Sequence, residues 1–463
     1  MAAKKVVVKS KASTDTKSKT TKKPEKKIIH SKPEINIKKR PRAALEPRPK
    51  RIKVRKTTLN PVHPIASQSG TVLTFGNGDC GQLGLGEDKP ERKKPFPIQE
   101  LVDQNIVDIA SGGLHSIALT KEGKLWSWGC NDQKALGRAG DEYVPMHVEQ
   151  GDSKFIKVEC GDSVSVALTS DGYVYSWGTF RSSDGIMGYS KDVKIQDTPT
   201  LIKELSKEFV IDLAAGVDHV LALTTAGTVY CWGNGQQYQL GRKILGRHKL
   251  NCLLPAKLGL KNIVSIGAGA YHSFAIDKKG VLYSWGLNNF GQCGAPSSDL
   301  DGEPIVEKPT KVDELKDRKI VKVSGGEHHS LAMDDQGNLF SFGRSDSSQT
   351  GLPESLILAA NAENGENSKE NSENSPVTKS MVPSPTMIPD IPKIIDFAVG
   401  SNHNLAISED KKLLSWGYGE MLQCGNGEEE DVKTPTIVTG KNIDGKSIIK
   451  VSAGGQHSVL LVQ

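Results

Sequence analysis

The sequence GGLHSIALTKEGKLWSWGCNDQKALG at residues 112–137 decides the fold. It contains a Gly-x-x-His-Ser turn, a short apolar segment, a Lys-Glu-Gly turn and a second apolar segment that ends in Trp128-Gly129. A loop then closes on Leu136-Gly137. Variants of this unit fill the chain from Gly70 onward, which indicates a repeat protein.

Three landmarks of this unit each recur seven times. The aromatic-Gly landmark occurs at Phe75-Gly76, Trp128-Gly129, Trp177-Gly178, Trp232-Gly233, Trp285-Gly286, Phe342-Gly343 and Trp416-Gly417. The fourth residue of the Gly-x-x-His turn is His115, Val164, His219, His272, His329, His403 and His457. The loop-closing pair is Leu83-Gly84, Leu136-Gly137, Met187-Gly188, Leu240-Gly241, Cys293-Gly294, Thr350-Gly351 and Cys424-Gly425.

The repeat length and its content predict an all-β, seven-bladed propeller over residues 68–463. Each repeat has about 50 residues and consists of short strand-like segments between Gly and Pro turns, which is typical of propeller blades. The chain ends in HSVLLVQ and the repeat region begins with GTVLTFG; joined, they reproduce one unit. We therefore expect one blade to be closed by the N- and C-terminal strands.

Residues 1–67 form a basic segment without aromatic residues, which predicts a disordered arm. Residues 1–60 hold 21 Lys and Arg against 4 Asp and Glu. Because the whole chain carries +6, the remaining residues carry −11. The arm predicts a sequence-independent DNA contact and a nuclear import signal. The import signal comprises Lys38, Lys39, Arg40, Arg42, Arg48, Lys50, Arg51, Lys53, Arg55 and Lys56. A solubilising tail is the alternative.

A second low-complexity segment lies between the last two aromatic-Gly landmarks, which are 74 residues apart. Residues 352–381 are rich in Asn, Glu and Ser, and this composition predicts a disordered insertion within one blade.

Composition and motifs exclude several function classes. No apolar run approaches the ~20 residues that span a bilayer, so we expect no membrane contact. The seven cysteines occur singly, which favours reduced, packed thiols. Residues 440–447, GKNIDGKS, match the phosphate-loop pattern, but that loop functions only between a strand and a helix. With no catalytic triad or metal-spaced cluster, we expect a binding platform without a cofactor.

Repetition separates scaffold from candidate site. A His at the same turn position in six of seven repeats indicates a structural hydrogen bond rather than a metal ligand or a catalytic base. Function is expected where the copies differ. Asp162, Asp218, Glu327 and His328 differ between equivalent turns, and we expect them to converge at one end of the channel. The loop TFRSSDGIMG, residues 179–188, is extended and predicts a projecting hairpin.

These motifs resemble the regulator of chromosome condensation family, whose members are seven-bladed nuclear exchange factors for the small GTPase Ran. The resemblance covers residues 69–463 and rests on GNGDCGQLGLGEDKPERKKP, SWGCNDQKALGR, TFRSSDGIMG, GQQYQLGR, SGGEHHS and SAGGQHSVLLV. It implies guanine nucleotide exchange on Ran without covalent chemistry. By motif, the Ran contacts fall on Asp79, His115, Asp162, Asp218, Arg242, His328 and His457. The wedge role falls on the hairpin, with Phe180, Arg181, Asp184 and Gly185.

The resemblance also implies a nuclear, chromatin-associated protein that generates Ran-GTP. Family members bind nucleosomes through the basic tail on DNA and a basic loop on the acidic patch of the histone dimer. The matching loop is ILGRHKLN, residues 244–251, with Arg247 and Lys249 as candidate contacts. The basic arm implies importin as a further partner. A propeller scaffold or sensor without exchange activity, as in plant ultraviolet receptors, and a lactonase-like or lyase propeller enzyme are the alternatives.

Overall fold

The computed structural model describes residues 59–61, 66, 68–244, 246–300, 302–366 and 380–463. The predicted import signal, residues 38–56, lies outside the described residues, as does most of the predicted arm. Within the described part, no helix is both long and apolar enough to cross a membrane.

Seven antiparallel sheets form the propeller, as the repeats predict. The closing blade contributes β1 (Thr71–Asn77) and β2 (Glu91–Pro97). Blade 1 has β3 (Ile106–Ser111), β4 (His115–Thr120), β5 (Leu125–Gly129) and β6 (Met146–His147). Blade 2 has β7 (Phe155–Cys160), β8 (Val164–Thr169), β9 (Val174–Gly178) and β12 (Gln196–Leu201), with the hairpin β10 (Phe180–Ser182) and β11 (Gly185–Gly188) inserted. Blade 3 has β13 (Val210–Ala215), β14 (His219–Thr224), β15 (Val229–Gly233) and β16 (Ala256–Lys257).

Blade 4 has β17 (Ile263–Ala268), β18 (His272–Asp277), β19 (Leu282–Leu287), β20 (Ser298–Leu300) and β21 (Glu303–Lys311). Blade 5 has β22 (Ile320–Gly325), β23 (His329–Asp334), β24 (Leu339–Arg344) and β25 (Met381–Met387). Blade 6 has β26 (Ile394–Val399), β27 (His403–Ser408), β28 (Leu413–Gly417) and β29 (Val432–Ile437). The chain ends in the closing blade with β30 (Ile448–Ala453) and β31 (His457–Val462). Short 3-10 helices lie at Gln99–Leu101, Lys203–Leu205, Gly246–Leu253 and Asp313–Leu315.

The closing blade joins the two ends of the repeat region, which confirms the predicted closure. Strand β1 pairs antiparallel with β31, from Thr71 opposite Val462 to Gly76 opposite His457. Strand β30 directly follows residues 440–447, so this phosphate-loop match precedes a strand rather than a helix.

The core lies between the blades. All six residues of the second strand are buried in most blades, as in β4, because each sheet is covered on both faces. Packing explains the glycine of the loop-closing pair. Gly137 has φ +67°, and a Cβ there would lie 2.8 Å from Nε1 of Trp177 in the next blade. The glycine therefore admits the indole ring, whose N–H donates to the carbonyl of Ala135 at 2.7 Å.

The repeated histidines form a belt between blades. Nε2 of His115 lies 2.8 Å from Oγ of Ser165 in the next blade. The Ser165 hydroxyl donates to the carbonyl of Ala135, so the histidine donates from Nε2. The equivalent pairs are His219 with Ser273, His272 with Ser330, His329 with Asn404, His403 with Ser458 and His457 with Ser116.

Blade 2 is the exception in this belt. Val164 replaces its histidine, and Val220 of blade 3 replaces the hydroxyl partner; both are fully buried in one apolar cluster. At this junction two valines thus replace both members of the hydrogen-bonded pair. Neither position is left with a polar group that lacks its partner.

Charged residues line the channel along the inner strands. They occupy the third position in six of the seven inner strands, at Asp108, Lys157, Asp212, Lys322, Asp396 and Lys450, and the uncharged Ser265 occupies this position in blade 4. Ion pairs link Lys157 with Asp212, Lys322 with Asp396, and Lys450 with Asp108. The carboxylate of Asp108 raises the pKa of Lys450, although burial opposes this effect.

Short parts of the two segments predicted to be disordered are packed against the propeller. The segment 352–381, predicted to be disordered, begins with an α-helix, α1 (Glu354–Glu366), followed after the undescribed residues 367–379 by β25. Within the predicted arm, Asn60 is 4% exposed and hydrogen-bonded to blades 3 and 4, so this part is packed. Sequence composition missed both features because each depends on a contact with the propeller.

Candidate partner-binding site

One end of the propeller, which we call the turn face, carries all seven Gly-x-x-His turns. The loops that follow the aromatic-Gly landmarks lie there too, because His115 pairs with Gly129 across β4 and β5. The turns approach each other closely at the axis: a Cβ on Gly112 would lie 1.9 Å from the carbonyl oxygen of Gly161. A cavity of about 100 Å³ remains between them, lined by residues of all seven turns, and its charged lining residues are Asp162 and Glu327.

Asp162 and Asp218 come together on the turn face, next to the hairpin. Asp218 is 9% exposed, and its carboxylate accepts a hydrogen bond from the backbone N–H of Arg181 at 2.6 Å. Burial raises the pKa of Asp218 to about 7, and the charge of Asp162 adds to this increase. Burial also raises the pKa of Asp162, whereas the guanidinium of Arg181 opposes it. Two carboxylates and one guanidinium therefore share a partly desolvated site.

The extended loop of blade 2 forms the hairpin β10–β11, and blade 3 holds it at several points. Besides Asp218, Gln236 accepts a hydrogen bond from the backbone N–H of Ser183 at 3.2 Å. Lys249 pairs with Asp184 at 2.8 Å. The hairpin tip remains accessible, since the Asp184 side chain is 71% exposed and Ile186 is 46% exposed.

The hairpin does not present all of its predicted contacts. Phe180 is 1% exposed and belongs to the core cluster of blades 2 to 5, so it anchors the base of the hairpin. Gly185, at φ +103°, forms the turn, where this backbone conformation favours glycine. Arg181, Asp184 and Ile186 are exposed. The sequence of the loop does not separate buried from exposed residues, because Phe180 and Ile186 are both apolar.

Three predicted contacts form hydrogen bonds within the propeller. His115 and His457 are 1% and 0% exposed and hydrogen-bond to neighbouring blades, so their rings are covered by the propeller. Arg242 is half-buried, and its guanidinium donates to the carbonyl of Cys231 at 3.1 Å. The equivalent Arg138 of blade 1 donates to the carbonyl of Ser127 at 2.7 Å. The matching geometry in a second repeat indicates a structural role for Arg242.

Two other predicted residues are accessible. Asp79 is exposed in the loop after Gly76, and its carboxylate accepts a hydrogen bond from the Asn77 amide at 3.3 Å. The side chain of His328 is 15% exposed, and its Nε2 lies 3.9 Å from Glu327.

An aromatic cluster surrounds His328 and was not identified from the sequence. The His328 ring lies 5.1 Å from Phe290 and 6.0 Å from Tyr271, centroid to centroid. The guanidinium of Arg344 lies 5.4 Å above the Phe290 ring, and Arg344 pairs with Asp346 at 2.7 Å. Tyr271 occupies the variable position of its turn, where the other repeats have Leu, Ser, Asp, His, Asn or Gln. The same comparison of repeats that selected Asp218 could have selected it.

The two candidate chromatin contacts lie in the Gly246–Leu253 helix. The side chain of Arg247 is outside the described residues. Lys249 pairs with Asp184 of the hairpin, so this loop adjoins the hairpin on the turn face. All seven cysteines are free, and five are buried. Among the described residues, no group of three His, Cys, Asp or Glu could hold a metal ion.

Comparison with known proteins identifies the family. The RCC1-like domain pattern matches residues 71–460. The chain belongs to the RCC1-like domain family. Protein pim1 of Schizosaccharomyces pombe is 39% identical over 91% of this chain and 80% of its own length. The guanine nucleotide exchange factor SRM1 of Saccharomyces cerevisiae is 36% identical over 84% and 86%, respectively. The Regulator of chromosome condensation of Xenopus laevis is 37% identical over 89% and 94%.

Solved RCC1-like structures show the same architecture. The crystal structure of Prp20p from Saccharomyces cerevisiae has a TM-score of 0.78 and 36% identity, covering 86% of this chain and 92% of that one. It is described with the binding of Prp20p to Gsp1p and histones. Yeast Prp20 bound to Kap60 gives a TM-score of 0.79 at 35% identity, over 90% and 95% of the two chains.

Proposed function

We propose that this RCC1-like protein is the guanine nucleotide exchange factor for the small GTPase Ran. The observation that carries the proposal is the convergence of Asp162 and Asp218 with the hairpin on one accessible face of the propeller. SRM1, a relative over most of both chains, is a guanine nucleotide exchange factor. Prp20p, the structural relative, binds Gsp1p.

The turn face provides a wedge with charged flanks. The exposed tip with Asp184 and Ile186 would insert beside the phosphate-binding loop of the GTPase. The base is fixed by the buried Phe180 and by the hydrogen bond to Asp218, so little conformational entropy is lost on docking. Asp162, Asp79 and Glu327 would repel nucleotide phosphates and compete for basic groups of the GTPase that otherwise bind them.

Exchange follows from linkage rather than covalent chemistry. A protein that binds the nucleotide-free GTPase more tightly than the loaded forms must weaken nucleotide binding by the same factor. The propeller then speeds GDP release and GTP entry alike, and the cellular nucleotide ratio sets the direction. Because residues 61–463 carry −11, association should be steered toward a basic docking surface and should weaken with salt.

The basic arm would tether this activity to chromatin in the nucleus. Its Lys and Arg residues suit both phosphate contacts on DNA and recognition by an importin. Prp20p binds histones, and yeast Prp20 has been crystallised with Kap60, which supports both contacts. Arg247 and Lys249 remain candidates for a histone contact. The resulting Ran-GTP would serve nucleocytoplasmic transport and mitosis.

The sensor alternative is less well supported. Plant ultraviolet receptors use tryptophans on their interaction face, whereas five of the six tryptophans here are at most 1% exposed. The sixth, Trp126, is only half-buried, but its ring packs edge-on to His147. The turn face instead offers carboxylates, Arg181 and the His328 cluster.

The test is release of fluorescent GDP from purified Ran. We expect the full-length protein to accelerate release by orders of magnitude. Asp162→Ala should reduce the acceleration, and Glu122→Ala should not, because Glu122 is exposed in the turn between β4 and β5 at the other end of the propeller. Unchanged release in the presence of the wild type would contradict the proposed function.

A further inference from the structure

Gly113 lies at the first variable position of the blade 1 turn, between the repeated Gly112 and Leu114. A Cβ built on Gly113 would overlap Oδ1 of Asp162, the residue at the same position of blade 2, and would lie 2.9 Å from its Cγ. The three atoms nearest to that Cβ all belong to Asp162. The carboxylate therefore occupies the space that any side chain at residue 113 would need.

The backbone does not require glycine at residue 113. Gly113 lies outside the left-handed region, so its φ angle does not by itself favour glycine. Five of the other six repeats carry a side chain at this position: Asp162, Val217, Ala270, Glu327 and Ser401. The sixth has Gly455, where a Cβ would lie 2.7 Å from the carbonyl oxygen of Gly113. The missing side chain at residue 113 thus corresponds to the carboxylate that packs there.

The preceding Gly112 is a glycine for a different reason. A Cβ there would run into the carbonyl oxygen of Gly161, which belongs to the backbone and cannot turn aside. At Gly113 the obstacle is the end of a side chain, which can rotate about its own bonds. Alanine at residue 113 should therefore leave the turn in place and displace only the carboxylate.

Asp162 is fixed at its backbone. Its N–H donates to the carbonyl of Val217 at 2.8 Å, which joins the turn of blade 2 to that of blade 3. Its side chain reaches the other way, back to Gly113 of blade 1. The carboxylate of Asp218 is held by a hydrogen bond from Arg181, whereas the carboxylate of Asp162 fits the space over a glycine.

The other acidic residue at this position shows a different arrangement. Glu327 follows a repeat in which Ala270 stands in place of Gly113. Its carboxylate lies toward the next blade, where it accepts a hydrogen bond from the Asn402 side chain at 3.2 Å. The two acidic side chains thus point in opposite directions, toward the preceding blade over glycine and toward the following blade after alanine.

The direction of Asp162 matters because blade 3 already holds Asp218. Burial raises the pKa of both carboxyl groups, and the charge of Asp162 adds to the increase for Asp218. A side chain over Gly113 would drive the Asp162 carboxylate away from blade 1, either toward Asp218 or out of the turn face. Both movements change where this negative charge meets a partner that docks beside the hairpin.

We propose that Gly113 is a positioning residue for nucleotide exchange, because its missing side chain holds the Asp162 carboxylate where that carboxylate acts on the GTPase. The inference rests on the proposed exchange activity and adds a residue that carries no chemical group of its own. Gly113 acts through Asp162 and not through a contact of its own side chain.

A double-mutant cycle tests this role. The full-length wild type, Gly113→Ala, Asp162→Ala and the double variant are compared in the release of fluorescent GDP from purified Ran. Gly113→Ala should slow stimulated release by at least about threefold, within the range of couplings between residues in contact. In the double variant, the substitution of Gly113 should add no further loss to that of Asp162→Ala.

Gly259→Ala is the matched control. Gly259 is exposed and also lies outside the left-handed region, and no atom of the described residues lies within 4 Å of its Cβ position. This variant should release GDP as fast as the wild type does. Circular dichroism checks folding. If Gly113→Ala fails to fold, the double variant decides: restored folding would confirm that the carboxylate is the obstacle, and continued misfolding would overturn that assignment.

Multiplicative losses in the double variant would overturn the positioning role, because Gly113 would then act independently of Asp162. Full activity of Gly113→Ala would overturn it too, because exchange would not depend on where the carboxylate lies. A wild type that fails to accelerate release would reject the proposed function and, with it, any role of Gly113 in exchange.

A crystal structure of Gly113→Ala tests the geometry without the GTPase. We expect the Asp162 side chain in a different rotamer and the backbone of the turn unchanged. An unmoved carboxylate beside a shifted turn would overturn the positioning role even if release is slowed. A moved carboxylate together with an inactive wild type would confirm the contact and place the failure in the proposed function.

Discussion

The carboxylate of Asp218 and the backbone N–H of Arg181 are joined by a hydrogen bond of 2.6 Å. The bond connects a turn of blade 3 with the hairpin of blade 2, so one residue supplies both a negative charge and an attachment point. The two contributions are separable, because asparagine keeps the acceptor oxygen and lacks the charge.

Asp218→Ala should reduce stimulated nucleotide release more than Asp218→Asn does. Alanine removes the hairpin attachment and the charge, and we expect a loss of at least about tenfold, or about 1.4 kcal/mol in the barrier. Asparagine removes only the charge. Release of fluorescent GDP measures both, and circular dichroism checks folding. Equal losses in the two variants would show that the attachment contributes nothing.

Stimulated release should rise with pH near neutrality. Since the pKa of Asp218 is raised to about 7, the carboxylate gains its charge as the pH rises through that value. If the charged form acts on the GTPase, activity increases from about pH 6 to about pH 8. Asp218→Asn should flatten this increase, which separates it from any pH dependence of the GTPase itself. A steep profile retained in Asp218→Asn would assign the titration to another group.

Phe180→Ala should destabilise the propeller, whereas Arg181→Ala should not. The Phe180 ring is buried in the core, and such a truncation costs about 3–5 kcal/mol. Arg181 is exposed, and its mutation should change the free energy of unfolding by no more than about 0.5 kcal/mol. Thermal unfolding measures the difference. A stable Phe180→Ala variant would mean that the hairpin base is not part of the core.

The histidine belt predicts loss of stability in acid. Burial lowers the pKa of His115 to about 4 and that of His457 to about 3, so the folded state resists protonation that the unfolded chain accepts near pH 6.5. The unfolded state binds more protons below about pH 6.5, and each such histidine costs about 1.4 kcal/mol per pH unit as the pH falls. Urea unfolding between about pH 7 and pH 4 measures this slope.

The natural Val164–Val220 pair supplies the control. The double variant His457→Val with Ser116→Val reproduces this valine pair at another junction between blades. It should reduce the pH dependence of the free energy of unfolding by the contribution of one histidine. His457→Val alone should be less stable than the double variant by about 1 kcal/mol, because Ser116 loses a partner. An unchanged slope in the double variant would show that His457 does not resist protonation.

Repetition made the fold predictable. Landmarks such as Trp128-Gly129 have local packing causes that recur in every blade, so seven copies specify seven blades and the split closing blade. The sequence also contains a correlated change that indicates a contact between blades. Where Val164 replaces the histidine of one repeat, Val220 replaces the hydroxyl residue of the next repeat. Pairs of positions one repeat apart thus report the contacts between blades.

The site was predictable only in part, because conspicuous residues are not always accessible ones. Comparing repeats selected Asp162 and Asp218, which lie together, but family motifs also selected His115, which is buried. The contact of Lys249 with Asp184 and the burial of Asn60 join residues distant in sequence, and no periodic pattern reports them. The helix Glu354–Glu366 was hidden by the polar composition of the segment that follows it.

The charged residues of the channel have a consequence for the number of blades. Around the axis the signs run Asp108, Lys157, Asp212, then Lys322, Asp396, Lys450, so they alternate throughout, with the uncharged Ser265 between Asp212 and Lys322. An odd ring cannot alternate two signs without one mismatch, and an uncharged residue is the way to avoid placing like charges side by side. Ser265 is that uncharged residue. A ring of six or eight blades could alternate the two signs without an uncharged residue. The serine at this position is therefore a consequence of the odd number of blades.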